Sequence, residues 1–366
     1  MKKRLLLLLA SVAMVAALTA CGSKEEPTDE AAVEVEEEAE EPAVEEEPVV
    51  EEVIPEGYYR SELTNELIPE DLKDQRPIAV MVDNEKTALP HYGLTQADVV
   101  YELMNSTKNG EITRFMALEK DWGAIEQFGS IRSLRPTNIL LANEWNAIIC
   151  HDGGPFHNDA YLALDATDNI SGLFGRVNNG KSREFTEYIL TGEIAKYTER
   201  LGIETTYNEY YEGPHYQFAT EADPQILGDN YSEFAKSAVF IDLPFDHNGS
   251  ELEYNEEDGL YYYSEYGSPH LDAQNGNKQL AFKNVILQRV TYNQLDENGY
   301  LIFNCIGEGS ATYITNGERI NVTWKKGSDT EPTRYYDGMG NELIINTGKT
   351  YVGFVADQRW DELVIE

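Results

Sequence analysis

"RPIAVMVDN", residues 76–84, decides how this chain is read: Ile78 to Val82 form an unbroken apolar run closed by Asp83 and Asn84. A strand with one wet face alternates apolar and polar residues, so a continuous run bounded by polar ones predicts a strand covered on both faces. Three runs share this texture: "ADVVYELM" (97–104), "EITRFMALE" (111–119) and "NAIICHDGG" (146–154), with the turn-forming "NSTKNG" between the first two. Between the second and third, Leu134, Leu141 and Trp145 fall at helical spacing, with Ser133 as the predicted N-cap and Pro136 in the first turn, where its missing N–H is tolerated. "HNDAYLALDATD" (157–168) and "SREFTEYILTGEIAKYTERLG" (182–202) also read as helices. Residues 58–215 are therefore predicted to be an α/β unit.

Further on the texture changes to aromatic and β-branched runs punctuated by turns, with Asn298-Gly299 and Asn316-Gly317 as hairpin signals. Residues 216–366 are predicted to be mostly antiparallel β, either as a second domain or as an extension of one composite domain. The expected class is α+β: a mixed sheet with helices in the N-terminal half and mostly antiparallel strands in the C-terminal half.

The N-terminus has a different purpose. Lys2, Lys3 and Arg4 precede an apolar run from Leu5 to Leu18, the layout of a secretory leader and short for a bilayer span. The run ends in Leu18-Thr19-Ala20-Cys21, which resembles a bacterial lipobox. That resemblance implies a leader over residues 1–20 and Cys21 as the acylated first residue of the mature chain, carrying palmitate-type chains that hold the protein at the outer face of the cytoplasmic membrane. Residues 22–57 contain fifteen Glu and Asp29 against Lys24. With few large apolar residues to offset ordering entropy, the stretch from 21 to 57 reads as a disordered acidic tether, on the order of 120 Å at full extension. The whole chain has 66 acidic residues against 28 Lys and Arg, a formal charge of −38. Such a surface repels phosphate backbones and anionic headgroups, so nucleic acid is excluded as a partner and the lipid on Cys21 is the membrane contact. Cys150 and Cys305 lie in apolar runs and read as buried free thiols rather than a disulfide.

"RPIAVMVDN", "GLTQADVVYELM", "EITRFMALE", "GSIRSLRP" and "HDGG", followed by "GEGSATYITNGERINVTW" and "YYDGMGNELIINTGKTYV", resemble the YerB-type bacterial lipoproteins over nearly all of residues 76–356. The resemblance implies a lipid-anchored envelope protein with an α+β fold. It assigns no activity, so the chemistry has to be read from the residues.

Three arginines carry that reading. Arg114 shares its strand face with Ile112, Met116 and Leu118, and so sits beside a core. Arg132 and Arg135 flank a predicted helix start, the positive end of the helix dipole, where cations need an anion nearby. That anion is either an internal carboxylate, such as Asp83, Glu102 or Glu111, or a bound phosphate or carboxylate. If the strands ending in Asp83-Asn84 and in His151-Asp152 run parallel, their carboxyl ends converge with the Arg132 loop on one sheet edge, the usual ligand side. The candidate anion site is accordingly Arg114, Arg132, Arg135, Asp83, Asn84, His151 and Asp152. The leading expectation is a non-catalytic binding or scaffold protein, partnered by a cell-wall component or an envelope protein. The alternative is an enzyme acting on phosphate-bearing cell-wall intermediates, with Asp83 or His151 handling protons or a metal. No cofactor and no resident metal are expected: "HDGGPFHND" (151–159) matches no zinc spacing. "GRVNNGKS" (175–182) fits the phosphate-loop pattern in form, but no strand leads into it, so it reads as a basic surface loop capping a helix at Ser182.

Overall fold

The structure, a computed structural model, describes residues 54–366; the leader, Cys21 and the acidic stretch up to residue 53 lie outside the described residues. The described part is mixed α/β with more strand than helix. Its centre is an eleven-stranded sheet built from β1 (Ile78–Asp83), β2 (Val99–Met104), β3 (Thr113–Glu119), β4 (Ile148–His151), β5 (Asn169–Ser171), β6 (Lys236–Ser237), β7 (Asn284–Val290), β8 (Gly307–Thr315), β9 (Glu318–Lys326), β10 (Arg334–Tyr336) and β11 (Thr350–Ala356). The order across the sheet is β6-β9-β8-β7-β11-β2-β3-β1-β4-β5, with β10 also paired to β9. All four apolar runs predicted as strands lie in it, and every residue of β1, β2, β3 and β4 is buried.

Continuous burial follows from cover on both faces. On one side Ala79, Met81, Tyr101, Met116 and Leu118 pack with Leu141 and Trp145 from helix α1 (Pro136–Glu144) and its end, and with Leu301 and Phe303. On the other side Val80, Val82, Phe115 and Ala117 pack with Ile194 and Tyr197 of helix α2 (Glu193–Leu201) and with Leu252, Tyr261 and Tyr263 of a second, six-stranded sheet. In that second sheet Leu260–Glu265 alternates strictly, burying Tyr261 and Tyr263 and leaving Tyr262 at the surface side.

Chain direction fixes which strand ends meet. β1 is antiparallel to β3 and parallel to β4, and β3 is antiparallel to β2. The carboxyl ends of β1, β2 and β4 therefore share one edge of the sheet. β11 is parallel to β2 on one side and to β7 on the other, so the antiparallel strands of the C-terminal half enter the sheet through a parallel joint.

Several local expectations change. The cap of α1 is Arg135, whose N–H donates to Asn138 Oδ1 at 3.2 Å; Ser133 instead uses its carbonyl to accept from Arg114. Pro136 opens the helix as expected. The stretch 182–202 is not one helix: Glu187–Leu190 is a strand paired with Gln127–Gly129, and the helix starts only after Gly192, which has φ +76. The buried Tyr188 and Ile189 serve that strand, and a left-handed glycine separates it from the helix. In 157–168 only Asp159–Leu162 is α-helical. Ser182 precedes a single 3-10 turn, Arg183–Phe185, and Lys181 Nζ donates to the carbonyls of Ala88 and Leu89, so no phosphate cradle is formed there. The Asn316-Gly317 signal is realised as a two-residue turn joining β8 to β9, with both residues at positive φ. Cys150 and Cys305 are free and buried.

The halves are also tied through a buried ion pair. Glu144, at the end of α1, accepts from Lys326 Nζ at 2.8 Å, Thr333 Oγ1 at 2.7 Å and the Tyr101 hydroxyl at 3.1 Å. Burial opposes its ionisation, yet Lys326 and His215 outweigh this and hold its carboxyl down at about 2. Removing one partner of a buried pair strands the other charge, so Lys326→Met should cost about 3–5 kcal/mol in urea unfolding. The sign with pH follows from the depressed carboxyl. Its contribution is present above the ordinary carboxylate range and is lost as pH falls from about 4.5 towards 2. The stability gap between parent and Lys326→Met should therefore narrow over that window.

Candidate functional site: an arginine-floored cavity

The shared edge of β1, β2 and β4 is lined by residues 130–135, which run in extended form beside it. Arg132 N–H donates to Met81 O, Asp83 N–H to Ser130 O, Asp152 N–H to Arg132 O, and Leu134 N–H to Gly153 O. This segment is laced to the ends of both parallel strands, which fixes where its arginines point. Opposite it stands the hairpin of Tyr292–Gln294 and Leu301–Phe303. Its turn touches the β2–β3 loop: Thr107 N–H donates to Gly299 O, and Ser106 Oγ to Asn298 O. A Cβ on Gly299 would lie 2.6 Å from Thr107 Oγ1 and 2.9 Å from Ser106 Oγ, and the residue has φ +79, so glycine is required for that approach.

The walls enclose a cavity of about 580 Å³ bordered by Arg114, Arg132, Arg135, Asn105, Ser106 and Tyr300, with Lys108, Glu85 and Glu297 also at its boundary. The three arginines singled out by sequence thus meet at one space. Their electrostatic situations differ. Arg132 is matched: its Nε lies 2.6 Å from Asp83 Oδ2, off the ideal hydrogen-bond direction, and its Nη2 lies 3.2 Å from Glu184. Arg114 is only 5% exposed, and its Nη1 donates to Asn105 Oδ1 at 3.0 Å and Ser133 O at 2.9 Å. Arg135 is 7% exposed; its Nη1 donates to Leu134 O at 2.8 Å and its guanidinium lies 4.4 Å from the centre of the Tyr300 ring.

Among the described residues neither Arg114 nor Arg135 makes an ion pair, and the Nε of each is buried without a hydrogen-bond partner. Burial pushes Arg114 down to about 10, and burial together with the neighbouring Arg114 pushes Arg135 down to about 9. Both remain cationic at neutral pH. The internal carboxylates considered for them are engaged elsewhere: Asp83 with Arg132, Glu111 with Arg359, and Glu102 with six neutral donors.

The remaining predicted site residues separate from this cavity. Asn84 donates to Glu102 and Thr113 inside the core. His151 contacts Gly153 O through Nδ1 at 2.8 Å and Asn169 Oδ1 through Nε2 at 3.2 Å, and burial lowers its pKa. Asp152 pairs with Arg176 at 2.7 Å. His151 and Asp152 therefore anchor the loop after β4 and do not line the cavity; of the two residues the enzyme reading named for protons or a metal, Asp83 stays beside it, held by Arg132.

Sequence reasoning missed a second polar cluster. His91, Glu265 and His270 are buried within 4.8 Å of one another. His91 Nδ1 is 3.2 Å from His270 Nε2, while Glu265 Oε1 is 2.7 Å from His270 Nδ1. The two contacts use opposite nitrogens of His270, so the groups form a hydrogen-bonded chain rather than a chelate converging on one ion. Burial drives Glu265 up to about 8 and His270 down to about 4, the neutral state suited to such a chain. Glu265 and His270 are five residues apart, but His91 lies 179 positions from His270, and no local spacing signals the three together. Another cavity, about 200 Å³ beside Lys278, Lys283 and Lys349, is less suited to an anion, because Lys349 is spent on Thr95 O and Gln96 O and Lys283 on Gly259 O and Asn316 Oδ1.

Comparison with known proteins places this architecture in a class. Residues 63–204 match the N-terminal domain, and residues 241–352 the C-terminal domain, of a protein family of unknown function, DUF3048. The chain belongs to this family. It is 24% identical over 311 residues to the protein named "Putative lipoprotein YerB" of Bacillus subtilis (strain 168), covering 81% of this chain and 86% of that one. The crystal structure of YerB protein from Bacillus subtilis shares the fold, with a TM-score of 0.71 at 23% identity, covering 84% of this chain and 99% of the other.

The contrast among the arginines is testable without a ligand. Arg132→Ala leaves the fully buried Asp83 without its cation and should cost on the order of 3 kcal/mol. Arg135→Met removes an unmatched buried charge at similar volume and should leave stability within about 1 kcal/mol of the parent, the cation–π contact being the main loss. Urea unfolding of the two variants checks the ordering.

Proposed function

We propose that this protein is a lipoprotein of the bacterial envelope, tethered through Cys21 to the outer face of the cytoplasmic membrane, and that its folded unit binds an anionic ligand in the arginine-floored cavity without catalysing a reaction. The anchoring reading is supported by the charged and apolar leader, by Leu18-Thr19-Ala20-Cys21, and by the lipoprotein name carried by the Bacillus subtilis relative. The acidic tether from 21 to 57 would hold the folded unit away from the headgroups and within reach of wall material. A cell-wall component is therefore the expected source of the ligand.

One observation carries the binding reading: two buried guanidinium groups border an open cavity and no carboxylate of the described residues makes an ion pair with either of them. Buried cations are normally paired, because desolvation without a counter-charge costs several kcal/mol. Planar, forked donors suit phosphate and carboxylate groups, and an anion there would relieve both desolvation and mutual repulsion. In a chain of net charge −38 such a cationic floor is a local reversal of sign.

Thermal unfolding with added inorganic phosphate, an undecaprenyl phosphate analogue and soluble wall fragments tests this. An anion at a hundredfold excess over its Kd should stabilise the protein by about 2.7 kcal/mol, and the effect should vanish in an Arg114→Gln, Arg135→Gln variant. If no anion raises the melting temperature of the unaltered protein, the binding reading fails. For the anchor, the protein should take up labelled fatty acid and Cys21→Ser should lose the label while accumulating as a soluble or uncleaved chain; absence of label from the unaltered protein would remove the lipid from the account.

A further inference from the structure

The charge balance of the cavity narrows the ligand, provided that an anion binds there at all. Arg132 is already neutralised by Asp83 and Glu184. Arg114 and Arg135 have no carboxylate in contact: Asp83 acts on Arg114 and Asp296 on Arg135 only from beyond ion-pair distance, so each guanidinium is left without a contacting anion. A monoanion would leave one of them buried and unmatched, whereas a dianion answers both. A phosphate monoester carries about −1.5 to −2 charge near pH 7 and offers three acceptor oxygens. With each Nη1 already donating within the protein and each Nε buried, that number suits the remaining Nη2 of the two guanidinium groups plus the Asn105 side-chain amide, whose oxygen is held by Arg114 and whose Nδ2 makes no hydrogen bond within the described residues.

The rest of the cavity describes the body that carries the phosphate. Its volume of about 580 Å³ lies in the range of small-molecule sites and exceeds what a bare tetrahedral anion fills. Asn109, Asn298, Ser133 and Tyr300 give its walls polar, uncharged character. Glu85 and the exposed Glu297 stand at its boundary against the single exposed Lys108, and with the acidic surface they disfavour a second anionic group. A polymer of repeated phosphodiesters matches neither the floor nor the rim. We infer that the ligand is a phosphate monoester on a hydroxylated, uncharged body, a sugar or polyol phosphate, whose dianionic group is taken by Arg114 and Arg135.

Calorimetric titration of the full chain in detergent decides this. The probes are glucose 6-phosphate, glycerophosphoglycerol as a hydroxylated monoanionic diester, gluconate as a hydroxylated carboxylate, and farnesyl phosphate as a monoester on an apolar body. Glucose 6-phosphate should bind at least about tenfold more tightly than the diester, a difference of about 1.4 kcal/mol. Its affinity should fall as pH drops from 7.5 to 5.5 and the phosphate takes up its second proton, near pH 6. Gluconate keeps its charge over that range and reports any titration of the protein's own Glu85, Glu297, Asp83, Asp296 and His157. Arg135→Gln should bring the monoester down to the diester's level. Equal binding of monoester and diester overturns the dianion assignment and leaves the anion reading standing; no binding by any probe overturns both. Tighter binding of farnesyl phosphate overturns the hydroxylated body, placing the source among lipid-linked phosphates. Should Arg135→Gln not fold, the pH series on the unaltered protein still separates a dianion from a monoanion: an affinity for glucose 6-phosphate that stays flat across pH 6 overturns the assignment.

Discussion

Strand β11 is the joint of the central sheet, paired to β7 along its length on one side and to β2 through Thr350–Phe354 on the other. All seven of its residues are buried. A strand in that position cannot be omitted without exposing two rows of backbone donors and acceptors in the middle of an apolar layer. It comes from near the end of the chain and pairs with a segment some 250 residues earlier. The edge that carries the arginine cavity is therefore assembled late in sequence terms: β2 is held in register by β11, and the hairpin that supplies Tyr300 lies between β7 and β8 in the chain.

Several buried ionisable groups elsewhere in the described residues are closely partnered. Glu102 receives hydrogen bonds from Asn84, Thr113, Asn248, Ser250, Tyr263 and Tyr351, residues drawn from both halves. Glu144 has Lys326, Thr333 and Tyr101. Arg76, wholly buried, has Asp168 at 2.6 Å and the carbonyls of Asn146 and Glu204. Lys120 has Glu62 at 2.5 Å and the face of Tyr207. Among the buried lysines and arginines of the described residues, Arg114 and Arg135 are the ones without an ion pair, and that lack coincides with the place where the interior opens to solvent. Stability alone gives no reason to retain two adjacent guanidinium groups without ion pairs; the proposed anion would supply one.

Much of this was legible in the chain. The runs 78–82, 99–104, 113–119 and 148–150 show their burial directly, because side chains covered from both sides have no polar alternation to display. Pro136 marked the start of α1, and Asn316-Gly317 marked a tight turn, since both act through backbone geometry that is local by nature. The arginines were singled out by the company they keep: Arg114 among Ile112, Met116 and Leu118, and the other two at a helix start. Less legible was 182–202, where Tyr188 and Ile189 satisfy helical spacing and strand burial equally, and pairing with Gln127–Gly129 decided for the strand. His151 and Asp152 looked like site residues because they end a buried strand; their side chains turn to Asn169 and Arg176, a choice made by neighbours that no spacing reveals.

The sequence by itself determined an acidic chain with a strand-rich core, and it supplied the lipobox-like start on which the proposed anchoring rests, because charge, leader chemistry and continuous apolar runs act over a few residues at a time. Only the tertiary structure decided that β1 and β4 are parallel, that a hairpin near residue 300 supplies the opposite wall, and that Asp83 is spent on Arg132 while Arg114 and Arg135 are left unanswered. Pairing among buried charges is settled by which groups the folded chain brings within a few ångströms, and that distance is set by strand order rather than by position in the sequence.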